Sequence, residues 1–429
     1  MLPSSGGSLP IQPQLQPRLQ PATSVAGIPW AGKIQHVVIV FQENRSVDNL
    51  FNGLPGADTQ AWGVNHLGKH VALRQVSLQA HYDLSHTHRA FNAEYDGGKL
   101  DGFDLVRGDD AAYGMVPRGE VQPYFDMAQQ YAFGDRMFQT NQGPSFPAHQ
   151  YIISGTSTIA SGSPFRVAEN PIGHQVWQTG GCNSPPSTRA RLIDAAGNED
   201  RLAYPCFERL TLMDEIAAAQ LTWRYYQETY SPNIWGGPAA IEHLARSGNY
   251  PQDVRVPSPS VLSDIASGNL ASVVWVTPDR AASDHAGVTD GSGPSWVASI
   301  VNAIGRSRYW DNTAIFVTWD DWGGWYDHVK PPLYNSYELG FRVPLLVIAP
   351  YAKRGYVSHA QHEFASILKF VEETYGLPSM GTTDARADDL ADCFDFTAPP
   401  RAYAPIAAPL SASHFMSAPA STGSIDDDQ

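Results

Sequence analysis

The chain has 429 residues, 42% hydrophobic and 17% charged, and its 28 Lys and Arg against 43 Asp and Glu give a formal charge of −15. Eleven Trp, nineteen Tyr and seventeen Phe need burial, which excludes a wholly disordered chain. The acidic balance argues against a nucleic-acid partner, whose phosphates call for clustered Lys and Arg. No apolar run approaches the ~18 residues of a transmembrane segment.

In chain order, residues 1–33 are rich in Pro and Gln without periodicity and read as a flexible or extended arm. They lack the apolar stretch of a secretory signal, which leaves a cytosolic protein or a mature extracytoplasmic one. Order is expected from Ile34, where Ile-Gln-His-Val-Val-Ile-Val-Phe predicts a buried strand ending in Gln42-Glu43-Asn44-Arg45-Ser46. His86 and His88 precede a glycine-marked segment, Gly97 to Phe103, and Ser145 sits in Gly143-Pro144-Ser145-Phe146-Pro147. The Gly/Pro/Asn-rich stretch 155–205 reads as an excursion from the sheet, a rim or lid. Cys182 and Cys206 bracket a Pro/Ser-containing segment, and a disulfide or two free thiols are equally compatible with that spacing.

Three further strands are predicted at Ser272–Thr277, Ala314–Trp319 and Val343–Ala349. Helical faces fall at Trp296, Val297, Ile300, Val301, Ile304 and at Phe364, Ile367, Leu368, Val371, Tyr375. His359 and His362 have a spacing suited to metal, yet they directly precede the second helix, and a first-turn or capping role is preferred. The Ala/Pro/Ser-rich tail, 399–429, is expected to be mobile. Short continuous strands alternating with helices predict an α/β fold whose mostly parallel sheet is covered on both faces.

Polar residues gather where such a sheet binds ligands, outside the carboxyl ends of its strands. Glu43-Asn44 follows the first strand, Asp320-Asp321 the 314–319 strand, and Asp284-His285 the 272–277 strand. Either acidic pair alone reads as a cap or turn. Three carboxylates and an amide on adjoining strand ends would repel unless a divalent cation binds, and hard or borderline ions suit oxygen donors. Ser145, framed by prolines, offers a hydroxyl at a fixed angle that a base or metal would activate.

The sequence resembles the phosphoesterase family that contains bacterial and plant non-specific phospholipases C and an acid phosphatase. The resemblance rests on His36 to Val40 with Glu43-Asn-Arg-Ser-Val-Asp48, then Gly97-Gly-Lys-Leu-Asp-Gly-Phe103, Gly143-Pro-Ser-Phe-Pro147 and Leu212…Trp223-Arg-Tyr-Tyr226. It continues at Asp284-His285, Asp320-Asp-Trp-Gly-Gly-Trp-Tyr-Asp-His328 and Gly340-Phe-Arg-Val-Pro344, covering about 34–398 in the expected order. It implies an alkaline-phosphatase-like three-layer sandwich with one catalytic domain over 34–398. It also implies metal-dependent hydrolysis of phosphate esters through a phosphoserine on Ser145. Glu43, Asn44, Asp320 and Asp321 would hold one divalent metal, and His86 and His285 would contact phosphate or assist the leaving group. The expected partner is a phosphate ester, either a small phosphomonoester or a phospholipid head group, and the expected location is periplasmic or secreted, with a cytosolic one as the alternative.

Two departures accompany the resemblance. Pro147-Ala148-His149 stands where the family commonly has Pro-Asn-Arg, so a polar contact is lost or taken over by His149, and Val47 replaces a Phe. The chain resembles compact members, which raises simple phosphomonoesters as substrates. A sulfatase of the same superfamily and a non-catalytic metal-binding relative are the competing readings. Trp62, Trp177, Trp235 and Trp325 are candidates for stacking on a choline-like group, with core or rim packing preferred.

Overall fold

A strand of unbroken apolar residues is satisfied only where both of its faces are covered. In β1 (His36–Gln42), Val37, Val38, Ile39 and Val40 are all fully buried, each worth ~1.5–3 kcal/mol relative to exposure. The computed structural model describes residues 27–173 and 179–419; arm residues 1–26, Trp177 and tail residues 420–429 lie outside them.

The other strands of the central sheet are β2 (Ala132–Gly134), β3 (Trp223–Tyr226), β4 (Val254–Arg255), β5 (Val273–Val276), β6 (Thr313–Trp319), β7 (Leu345–Ile348) and β8 (Tyr356–Ser358). Their spatial order is β4-β3-β5-β1-β6-β7-β2-β8. Every pair is parallel except the two made by β7, which runs against β6 and β2. A parallel return needs a crossover, usually a helix, and no helix separates β6 from β7.

Helices form both outer layers. Among the described residues, the α-helices longer than five residues are α1 (His88–Tyr95), α2 (Gln122–Gln130), α3 (Ser145–Ser154), α4 (Leu212–Ala218), α5 (Ser260–Ser267), α6 (Gly293–Gly305), α7 (Phe364–Tyr375) and α8 (Ala412–Ser417), of which α2 to α8 make up the layers. One layer packs α6 against α2, α5 and α8; the other packs α3 against α7 and α4. Alternation along β1 separates them. Phe41 meets Phe364 of α7 and His149 of α3, whereas Gln42 reaches Tyr124 of α2 and the Gly293 carbonyl of α6.

The flanks are held by aromatic anchors that composition does not reveal. Trp30 stacks on Phe370 at 5.0 Å and donates to Thr374 Oγ1 at 2.9 Å. After Pro399, Tyr403 donates to Asn302 Oδ1 at 2.7 Å, and Ile406 and Phe415 are buried, Phe415 against Trp296. The stretch read as mobile is thus packed along α6 as far as α8. The 155–205 excursion contains a three-stranded antiparallel sheet of Arg166–Val167, Ala190–Ile193 and Arg201–Ala203. Cys182 and Cys206 are joined as a disulfide, and Cys393 is a buried thiol. Among the described residues, no helix is long and apolar enough to cross a membrane.

Candidate active site

The ends of β5, β1 and β6 lie side by side and are tied by backbone hydrogen bonds. Glu43 N donates to the Ser283 carbonyl at 2.9 Å, Asp320 N to the Gln42 carbonyl at 3.0 Å, and Arg45 N to the Asp321 carbonyl at 3.0 Å. Two residues here take left-handed backbone conformations, Asn44 with φ 63° and Asp284 with φ 69°. Asn and Asp tolerate that region better than other L-residues. The turn after Asp321 passes so close to Asn44 that a Cβ on Gly323 would lie 2.3 Å from the Asn44 carbonyl oxygen. Glycine is required there by contact as well as by its φ of 62°.

Glu43, Asn44, Asp320, Asp321, Ser145, His86 and His285 are all buried and brought into this one region. Asn44 N donates to Asp320 Oδ1 at 3.0 Å, and Asp321 N donates to the same oxygen at 2.8 Å. Ser145 opens α3 directly after Pro144, at the positive end of that helix dipole, and its Oγ donates to Asp321 Oδ2 at 3.4 Å. The loop before it is pinned by Gln139 and Asn141, whose side-chain amides donate to the Gly143 carbonyl at 2.9 Å each. Part of the excursion packs over this helix start: Val167 and Leu192, with Phe207 and Trp235 from beyond it, cluster with Phe146, whose N–H donates to Asn170 Oδ1.

His86 and His285 face each other with ring centroids 6.0 Å apart. His86 Nδ1 lies 2.8 Å from the Leu84 carbonyl and therefore carries hydrogen, which leaves Nε2 to accept from Asn44 Nδ2 at 2.9 Å; Asp321 Oδ2 is 3.8 Å from Nε2. His285 Nδ1 is likewise committed to the Ala286 carbonyl at 2.7 Å, and its Nε2 stands 3.9 Å from Asp83 Oδ2. Asp284, next to His285, faces away. Its Oδ2 accepts from Tyr124 at 2.7 Å and Trp319 Nε1 at 3.1 Å, and burial pushes its pKa up to about 6. Its carbonyl is gripped by Arg45, which lies over the Trp325 ring at 5.1 Å. Trp325 is thus a packing residue under Arg45, Trp62 stacks on His70 at the surface, and Trp235 is buried 6.4 Å from the His285 ring.

The four expected ligands lie in one buried region, Asn44 N and Asp321 N both donating to Asp320 Oδ1. Glu43 and Asp320 are joined by His149, the three ligand atoms lying within 4.8 Å of one another, while Asp321 sits against Ser145 and His86. His149 Nε2 is 3.2 Å from Glu43 Oε1 and 3.9 Å from Asp320 Oδ2, and burial lowers its pKa to about 4. A divalent ion fits this donor set: carboxylate oxygens and an imidazole nitrogen are ordinary ligands, and the buried Asn44 Oδ1 and Asp320 Oδ2 accept no hydrogen bond among the described residues. His149 was legible as a departure but not as a site residue. The available signal was its i+4 spacing from Ser145, which puts both on one face of a helix starting at Ser145.

His359 and His362 belong elsewhere. They pair with Asp135 and Asp388, and the capping of α7 falls to Glu363 and Ser366. A second buried acidic group, Asp48 and Asp327, is crossed by Arg342 and His328.

Fold and site together define an α/β protein whose polar centre lies outside the carboxyl ends of a mostly parallel sheet, with a serine at a helix start. The chain belongs to the phosphoesterase family, whose model matches residues 34–378. It is similar to the hemolytic phospholipase C of Pseudomonas aeruginosa, 24% identical over 85% of this chain and 56% of that protein. Phospholipase C B of Mycobacterium tuberculosis is 22% identical over 87% of this chain and 80% of its own length, and non-specific phospholipase C1 of Arabidopsis thaliana 22% over 87% and 73%. The chain spans only 56–58% of the length of the two Pseudomonas relatives. Among solved structures, a protein in the alkaline phosphatase superfamily from Vibrio parahaemolyticus matches with a TM-score of 0.41 and 12% identity, covering 89% of this chain and 74% of that one.

Proposed function

We propose that the protein is a metal-dependent phosphoric ester hydrolase of the phospholipase C and acid phosphatase type, working through a phosphoserine on Ser145. The observation that carries this reading is Ser145 Oγ at the start of α3, 3.4 Å from Asp321 and in one buried region with two carboxylates and two histidines. A bound divalent ion would supply Lewis-acid stabilisation of the phosphoryl oxygens, held by Glu43 and Asp320.

The chain's own groups would do the rest. Asp321 orients the Ser145 hydroxyl and takes its proton as Oγ attacks phosphorus. The departing alkoxide leaves with a proton from His285 Nε2, the ring nitrogen not committed to a backbone carbonyl. Neutral His285 then takes a proton from water, which attacks the phosphoserine. Oγ leaves, recovers its proton from Asp321, and the products are alcohol and phosphate or a phosphomonoester. His86, whose Nε2 accepts from Asn44, holds the amide of Asn44 in place. This distributes the two histidines: one moves a proton, one positions.

The substrate class follows the relatives' names only as a proposal: phosphate esters, including phospholipid head groups. The Cys182–Cys206 disulfide supports an oxidising, extracytoplasmic compartment. The test is a panel of an aryl phosphomonoester, phosphatidylcholine and an aryl sulfate, with and without chelator, followed by mass spectrometry of the acid-quenched Ser145 peptide. Phosphoserine is expected at Ser145 with the phosphate esters. Formylglycine at that position would indicate a sulfatase, and an unmodified serine with no turnover a non-catalytic relative.

A further inference from the structure

Tyr225, on β3, stands behind the His149 ring. The hydroxyl of Tyr225 donates its single proton to the Trp235 carbonyl at 2.6 Å, so toward His149 Nδ1, at 3.3 Å, it presents only lone pairs. With the hydrogen on Nδ1 a neutral ring has its lone pair on Nε2; with the hydrogen on Nε2 the ring donates to Glu43 Oε1, and a cation bound at Nε2 takes the place of that proton. Nε2 is set 3.2 Å from Glu43 Oε1 and 3.9 Å from Asp320 Oδ2, with all three side chains fully buried. In the Nδ1–H tautomer these three electron-rich atoms, within 4.8 Å of one another and away from solvent, repel. A cation placed among them turns each repulsion into a coordinate bond. The ring is also fixed: Phe41 lies 5.3 Å from it, and α3 carries it one turn beyond Ser145.

We propose that His149 ligates the metal through Nε2, together with Glu43 and Asp320, and that this mixed imidazole–carboxylate centre takes a borderline transition cation of the Zn2+ type in preference to Mg2+ or Ca2+. This rests on the metal-dependent reading above and narrows its cofactor. Imidazole is a common ligand of zinc, iron and nickel, whereas Mg2+ and Ca2+ prefer all-oxygen sets. Tyr225 serves as the outer partner that fixes the ring's tautomer, the usual arrangement behind a ligating histidine. Asp321, which lies outside the trio, stays available to Ser145.

The test uses the full chain. Metal-free protein is equilibrated with one equivalent of Zn2+ and about a 10³-fold excess of Mg2+, passed through a desalting column, and its metal content measured. One Zn2+ per chain is expected. In 15N-histidine-labelled wild-type protein, Zn2+ should shift the His149 Nε2 resonance while Nδ1 carries the proton. His149→Gln should weaken Zn2+ binding about 10²-fold or more, and Tyr225→Phe by about 10–100-fold. Retention of Mg2+ over Zn2+, an Nε2 resonance that Zn2+ leaves unmoved, or wild-type Zn2+ affinity in His149→Gln would each overturn the proposal. The resonance needs no variant, so a misfolded His149→Gln does not remove the test. If His149 proves no ligand while chelator still abolishes esterase turnover, only this inference falls. If Zn2+ binds through His149 but Ser145 is never phosphorylated, the phosphoserine reading falls instead.

Discussion

Two groups of buried carboxylates occupy the same end of this protein and are treated in opposite ways. Asp48 and Asp327 are met by a guanidinium: Arg342 Nε donates to Asp327 Oδ1 at 2.8 Å, Nη2 to Asp327 Oδ2 at 3.1 Å, and Asp48 Oδ1 lies 3.7 Å from Nη2. His328 adds a second partner to Asp48 at 2.6 Å. Glu43 and Asp320 instead meet an imidazole, and Asp321 meets a serine hydroxyl. The first group is charge-balanced by a guanidinium, which has donors only, and it staples the loop after β6 to the segment after β1. The second keeps acceptor atoms in hand. Structural and chemical acidic clusters therefore differ less in burial than in what neutralises them.

The largest effect that would separate the two is expected from Arg342→Met. Removing the guanidinium leaves Asp327 without its cation and Asp48 with His328 alone, and the loss should be ~3–5 kcal/mol in urea unfolding. A smaller loss would mean that the first group is not held by this pairing. Ser145→Ala probes the other side of the comparison. Turnover should fall about 10²-fold or more while metal content and unfolding midpoint stay near wild type. A variant retaining a tenth of wild-type kcat would remove Ser145 from the reaction. Metal removal comes next: at an ion concentration 100 times its Kd, chelation should cost ~2.7 kcal/mol of stability. In Asp320→Asn, thermal denaturation with and without chelator should coincide, whereas Arg342→Met should keep the wild-type difference.

The smallest effect is the share of the pH dependence that His328 of the first group contributes. Burial by itself lowers the His328 pKa, but the adjacent Asp48 and Asp327 carboxylates outweigh it and the net shift is upward. A histidine whose folded pKa is raised contributes stability that is full below its ordinary value near 6.5 and is lost as pH rises through the raised one. His328→Gln should flatten that part of the stability profile above neutrality, measured as unfolding midpoints from pH 6 to 9. An unchanged profile would assign the slope to other groups.

Much of this was determined locally. Short runs rich in β-branched and aromatic residues at 36–42 and 313–319 have few alternatives to buried strands, and acidic residues placed directly after them must fall at the strand ends. The same holds for Ser145, whose Gly-Pro frame sets a helix start, and for the faces of α6 and α7. What chain-local pattern could not decide is which distant groups meet. The reversed β7 depends on a return without a crossover helix, the packed tail on Tyr403 and Phe415 finding α6, and the disulfide on two loops meeting. His149 is the sharpest case. Its spacing from Ser145 puts it on the right face of a helix, but only packing of α3 against the end of β1 brings its Nε2 to 3.2 Å from Glu43, 106 residues away. Backbone periodicity is written in neighbours along the chain, whereas a ligand set is a coincidence in space of side chains from separate strands and helices, and it exists only once the sheet has set their distances.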